Sequence, residues 1–240
     1  GSRAAWNATL ASADAAAIRS TTESRETRVN ADAPIIWNCA EWSPTELNAK
    51  LRELVEGDAV ELSGHTPLAG QMGLCCGLDQ RVSIDIAGNV GDFLFFLGAE
   101  ASLDVRGNAG NCLGHSMRSG RITVTGSVAN SAAAFATGGF IAVLGQAGDY
   151  CARGLSGADV FIRSHAGNQA GHAMRDGTLV LGNGCGEQLG SQMTGGVIYV
   201  RGEVVSKADG LRRLSLLLAE AGIKSQGSEF QVFRPDGAAP

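Results

Sequence analysis

The sequence predicts an all-β solenoid, a right-handed parallel β-helix with 19-residue rungs. Three observations carry that prediction: a fixed internal period, apolar columns locked to it, and an excess of glycine. The period appears first in Gly88, Gly107, Gly126, Gly145, Ser164, Asn183 and Gly202, each 19 positions after the last. Three residues further on stand Gly91, Gly110, Ala129, Gly148, Gly167, Gly186 and Val205, so the repeats carry Gly-x-x-Gly either in full or with one of its two glycines replaced. Ahead of the first glycine run two aliphatic columns, Ile84, Leu103, Ile122, Ile141, Val160, Leu179, Ile198 and Ile86, Val105, Val124, Val143, Ile162, Leu181, Val200. Their alternation with polar neighbours marks one short strand per repeat. Glycine makes up 34 of the 240 residues, about twice its usual share of roughly 7%. The chain is nonetheless 44% hydrophobic, which is not the composition of a polar, disordered segment.

Further small or apolar columns follow, one starting at Val90, one at Leu94 and one at Gly98. A single repeat cannot bury five such positions, whereas repeats stacked at the strand spacing of about 4.8 Å line one continuous interior. A left-handed hexapeptide helix is disfavoured because 19 is not a multiple of six, and the calcium-roll pattern Gly-Gly-x-Gly-x-Asp is missing. A β-sandwich would need loops of varying length. The glycines are expected at the corners, where a positive φ or a close backbone approach excludes a side chain. Gly88, Gly91, Gly107, Gly110, Gly126, Gly145, Gly148, Gly167, Gly186 and Gly202 are the structural turn residues on this reading.

The ends depart from the period. Residues 1–33 show no sustained pattern and read as a flexible arm. In residues 34–64 a helix begins at Ser43-Pro44-Thr45-Glu46, which combines a serine N-cap, a first-turn proline and a capping-box glutamate. It is expected to run to Val55, with Leu47, Leu51, Leu54 and Val55 on one face covering the end or side of the coil. The array occupies residues 65–206, and Gly70 to Gly73 suggest an irregular first rung, out of phase by one residue. In residues 207–240 an amphipathic helix from Ala208 to Ala221 is expected to cap the far end.

The net charge of −5 and the lack of a basic run argue against a nucleic-acid partner. No apolar stretch has the length of a membrane helix or the form of a signal peptide, and the chain is read as cytoplasmic. Six cysteines without metal-ligand spacing read as reduced thiols, with Cys151 and Cys185 in the core. His115 and His172 recur three periods apart in similar strings with Arg118 and Arg175. Stacked rungs hold the two histidines on the order of 14 Å apart, too far to share a metal ion. These four residues are the candidate partner-facing stripe. Asp92, Asn111, Asp149 and Asn168 follow the second glycine of their rungs and are read as bonding neighbouring backbone. No catalytic, cofactor-binding or metal-binding set emerges.

The glycine array with its leucine-rich sequel resembles the GXGXG domain at the C-terminus of the glutamate synthase large chain, over about residues 60–205. It is also similar to stand-alone subunits of glutamate synthase-like complexes, including the N-methylglutamate synthase type. More distantly, it resembles the solenoid component of formylmethanofuran dehydrogenase. Residues 45–54 and the tail through Pro235 favour the glutamate synthase-like side. The resemblance implies a non-catalytic scaffold in a hetero-oligomer, holding a glutamine amidotransferase subunit and an FMN-containing synthase subunit. It implies no cofactor in this chain, and FMN with an iron–sulfur cluster in the partners. The alternative is the β-helix subunit of a formylmethanofuran dehydrogenase or formyltransferase/hydrolase complex.

Overall fold

The computed structural model describes residues 33–64, 72–214 and 230–237. From Ile35 onward the chain forms one compact unit. Its elements are β1 (Ile35–Asn38), α1 (Pro44–Leu51), β2 (Ala59–Ser63), β3 (Ser83–Ala87), β4 (Ser102–Arg106), β5 (Arg121–Val124), β6 (Phe140–Val143), β7 (Ser156–Ile162), β8 (Asp176–Leu181), β9 (Val197–Val200), β10 (Leu211–Leu214) and β11 (Gln231–Pro235). Strands β1 to β9 pair in chain order, each parallel to the next. The fold is a parallel β-solenoid with rungs of about 19 residues. Ile84, Leu103, Ile122, Ile141, Val160, Leu179 and Ile198 pair in succession, as the period requires. A second parallel column of single bridges joins Val90, Ala109, Val128, Ala147, Ala166, Cys185 and Val204.

The five columns read from the sequence line one interior. Leu113, Met117, Ile122 and Val124 are all 1% exposed or less and Val128 is 5% exposed, and most of their counterparts in neighbouring rungs are likewise buried. Volume is conserved across columns: the buried Phe95 ring fills the place where a Cβ on Gly98 would lie at 2.4 Å. In the next rung Gly114 takes the Phe95 position and Met117 the Gly98 position, so the core stays filled.

The Gly-x-x-Gly columns are explained by space rather than by φ. Of the ten glycines, only Gly88 (131°) and Gly202 (95°) have positive φ. A Cβ on Gly110, Gly148, Gly167 or Gly186 would fall 2.1–2.4 Å from Oδ1 of Asp92, Asn130, Asp149 or Asn168. Those oxygens are engaged. Asp92, Asn111, Asn130, Asp149 and Asn168 each accept the backbone N–H of the residue 19 positions on, at 2.7–3.1 Å. A second ladder runs through Asn89, Asn108, Ser127 and Gln146, and a Cβ on Gly126 or Gly145 would strike it. The ladder bonds close the corner, and a glycine one residue before every donor except Asn130, which follows Ala129, makes room for the accepting side chain.

Opposite the strands, each rung turns through an arc with left-handed φ at alternate positions. Phe93, Phe95 and Leu97 lie at 56–58°, and Cys112, Gly114 and Ser116 at 56–61°. Such φ values are unfavourable for residues with a Cβ, and hydrogen bonding to both neighbouring rungs holds them. Phe93 N–H donates to Asn111 O, Phe95 N–H to Leu74 O in the rung before, and Leu97 N–H to His115 O in the rung after. Cys112, Gly114 and Ser116 repeat the pattern toward Asn130, Leu94 and Ala134.

At the start of the array Met72 pairs with Asp92, 20 positions on, so the first rung is irregular by one residue, as expected, but in the opposite sense: Gly70 and Gly73 suggested a spacing of 18 to Gly88 and Gly91. α1 closes this end. Its Ser43–Glu46 capping box is formed, and Leu47, Leu51 and Leu54 join the core. The Asn48 side chain donates to Gly73 O at 2.6 Å and accepts Cys75 N–H at 2.7 Å, taking the place of a preceding arc. The helix stops at Leu51, and Val55, expected on its buried face, is 55% exposed.

The other end differs from expectation. Leu211–Leu214, assigned by sequence to the helix of residues 208–221, is strand β10, and residues 215–229 lie outside the described residues. β11 inserts antiparallel between β9 and β10. The open edge of β9 demands backbone partners, and Gln231–Pro235, with Val232 and Phe233 fully buried, supplies them. The arm at residues 1–33 lies outside the described residues except for Ala33. Among the described residues no helix is long and apolar enough to cross a membrane.

Candidate functional site

The arcs carry the most distinctive surface of the molecule. Outward positions there stack rung upon rung, so residues 19 apart form columns: Phe96, His115, Ala134, Arg153 and His172 in one, Phe93, Cys112, Ser131 and Tyr150 in another. The half-buried His115 ring lies 6.3 Å from Phe93, 5.4 Å from Phe96 and 5.4 Å from Phe135, centre to centre. Its Nδ1 is 2.9 Å from Ser116 Oγ. The Arg153 guanidinium sits over both Phe135 (5.7 Å) and Tyr150 (5.6 Å), and Tyr150 meets His172 edge-on at 6.0 Å. One continuous stripe results, from Phe93 to His172. Phe135 and Leu97 are its most exposed apolar members, at 43% and 45%.

The electrostatics follow from this packing. Burial lowers the His115 pKa. Burial and then the Arg153 charge, one rung away, lower that of His172. Both rings are therefore neutral at pH 7. The His172 Nδ1 is buried without a hydrogen-bond partner among the described residues.

Sequence reasoning placed His115 and His172 on one outer column, and they are there. It missed the aromatic residues and Arg153 that join them. The signal was present in the repeat, since Phe96, Arg153 and both histidines are spaced by multiples of 19. Arg118 and Arg175 are exposed, and their guanidinium groups bond to no described residue. The structure does not bring them into the stripe.

The remaining chemically capable groups are engaged elsewhere. Burial pushes the thiols of Cys151 and Cys185 up to about 12, and Cys75 higher still. Cys76 is half-buried, raised by burial and partly offset by Arg52. Asp92 and Asp149 serve the ladder, as the sequence suggested. His165 is half-buried, and His65 lies outside the described residues. No group of three or more histidine, cysteine or acidic residues among the described residues could hold a metal ion. Compared with known proteins, the chain matches no family model and no curated protein.

Proposed function

We propose that this chain is a scaffold subunit that docks partner proteins along the arc stripe and is not itself catalytic. The observation that carries this reading is the stripe's composition: phenylalanine, tyrosine, histidine and a stacked arginine on a rigid, hydrogen-bonded arc. Aromatic residues and arginine are enriched at interface centres, where they contribute large contact area at low entropic cost. The partners, a glutamine amidotransferase subunit and an FMN-containing synthase subunit of a glutamate synthase-like complex, are proposed on the resemblance of the glycine array. In that assembly the solenoid holds two catalytic units at a fixed separation and contributes no reacting group.

Co-expression with those two subunits tests the reading. The wild-type chain is expected to co-elute with them, and the Phe135→Glu/Arg153→Glu variant, both positions being exposed, to elute alone with an unchanged thermal transition. Undiminished co-elution of the variant would move docking to another face, and a wild-type chain that binds neither subunit would remove the proposed partners.

A further inference from the structure

We propose that β1 is a self-complementary edge through which two copies of this chain pair, strand to strand, about a two-fold axis at Ile36. β1 is the first strand of the sheet, and among the described residues it pairs only with β2. Cys39 N–H donates to Ser63 O at 2.8 Å, which fixes the phase of the strand. Ile35, Trp37 and Cys39 direct their backbone groups to β2, and Ile36 and Asn38 direct theirs to the side away from β2. A row of outward amides and carbonyls is complementary to another strand.

The two ends of the sheet are managed differently. At the far end the chain reverses, and β11 inserts antiparallel between β9 and the last strand, β10. β1 reads Ile-Ile-Trp-Asn, without a charge or an internal proline.

Side chains select the partner and the register. Ile36 is 68% exposed, whereas Ile35 and Trp37 pack against the core on the other face. Residues directly opposite in an antiparallel pair share a face. A two-fold axis at Ile36 sets Ile36 against its own copy and Ile35 against the copy's Trp37, so apolar meets apolar on both faces. The two Ile36 residues exchange both N–H···O=C bonds. A one-residue slip would place Ile36 opposite Trp37 with mismatched faces and backbone groups turned apart. The strand therefore fits a second copy of itself in one register.

Sedimentation velocity on the full chain tests this. The wild type is expected to shift from monomer to dimer with rising concentration, and Ile36→Lys, which opposes two like charges, to weaken association at least tenfold. Ile36→Cys gives an independent readout, because opposed Cα atoms in a bonded pair lie about 5.5 Å apart, within disulfide reach. Mild oxidation should give a covalent dimer of Ile36→Cys and none of the wild type. A wild type that stays monomeric throughout its soluble range, a dimer untouched by Ile36→Lys, or an Ile36→Cys chain that does not cross-link would each overturn the proposal.

Discussion

Ala129 occupies a place that most of its counterparts in other rungs leave to glycine, and the ladder records the difference. The bond beside it, Asn130 N–H to Asn111 Oδ1, is 3.1 Å, against 2.7–2.9 Å for the other four in that ladder. In the other glycine column the backbone bonds made by Gly126 and Gly145 are both 2.9 Å, lengthening to 3.2 Å at Ser164 and 3.1 Å at Asn183. A side chain is thus tolerated where its neighbour yields by a few tenths of an ångström. Gly110 has less latitude, with Asp92 Oδ1 at 2.1 Å from any added Cβ. Gly110→Ala should cost about 1–3 kcal/mol, as overpacking does. Asp92→Ala should relieve part of that cost, so the double variant is less destabilised than the sum of the singles, as read from urea unfolding. The histidines give a second prediction. Their folded pKa values lie below the unfolded value, so the unfolded chain binds protons first as pH falls through about 6.5. Stability should therefore decline on acidification below that pH, and Arg153→Gln should raise the His172 value, the Arg153 charge being its second cause, without moving that of His115 by proton NMR titration. At this scale the glycine and core columns were legible because a fixed period makes like positions comparable. The left-handed arc was not. Gly114, Gly154, Gly171 and Gly190 mark it in some rungs, but phenylalanine, alanine, serine and glutamine take the same backbone elsewhere.

Among the elements, α1 shows how a repeat array is ended without a further repeat. The Cys75 amide points to the place that a preceding arc would take, and Asn48, projecting from the helix there, accepts it while donating to Gly73 O. Asn48→Ala should leave both backbone groups unmet at a part-buried site and cost about 1–3 kcal/mol. Amide exchange should quicken at Cys75 before it does in the central arcs. The start of this helix was legible to the residue because a capping box is a local motif. Its end, and the strand character of Leu211–Leu214, were not. Leucines at helical spacing around 211–218 satisfy an amphipathic pattern, but pairing with a strand some 20 residues on decides the outcome for the first four. Local periodicity cannot report a demand set by the open edge of β9.

For the whole molecule, the repeat makes length itself divisible. Removing residues 127–145, one full period, rejoins Gly126 to Gln146 with every column and both ladders in phase. The shortened chain should unfold cooperatively with a β-rich circular dichroism spectrum. Removing 128–145, one residue fewer, turns each following inward side chain outward and should abolish folding. The same arithmetic that made the solenoid readable made the surface stripe only half readable. The histidines stood out because their flanking strings repeat, whereas Phe93, Phe135 and Tyr150 join them through three dimensions. The ladders also give the solenoid a direction. All eight ladder bonds run the same way, oxygen toward the later rung, while the strand bonds alternate and largely cancel. Carboxamide and hydroxyl dipoles aligned in this manner sum along the coil axis as peptide dipoles do along a helix. The Asn89 end is thereby biased toward positive potential and the Glu187 end toward negative. Asp92 at the first position of its ladder is a carboxylate at the positive pole, and a cation approaching the solenoid axially meets a more favourable field at the Glu187 end.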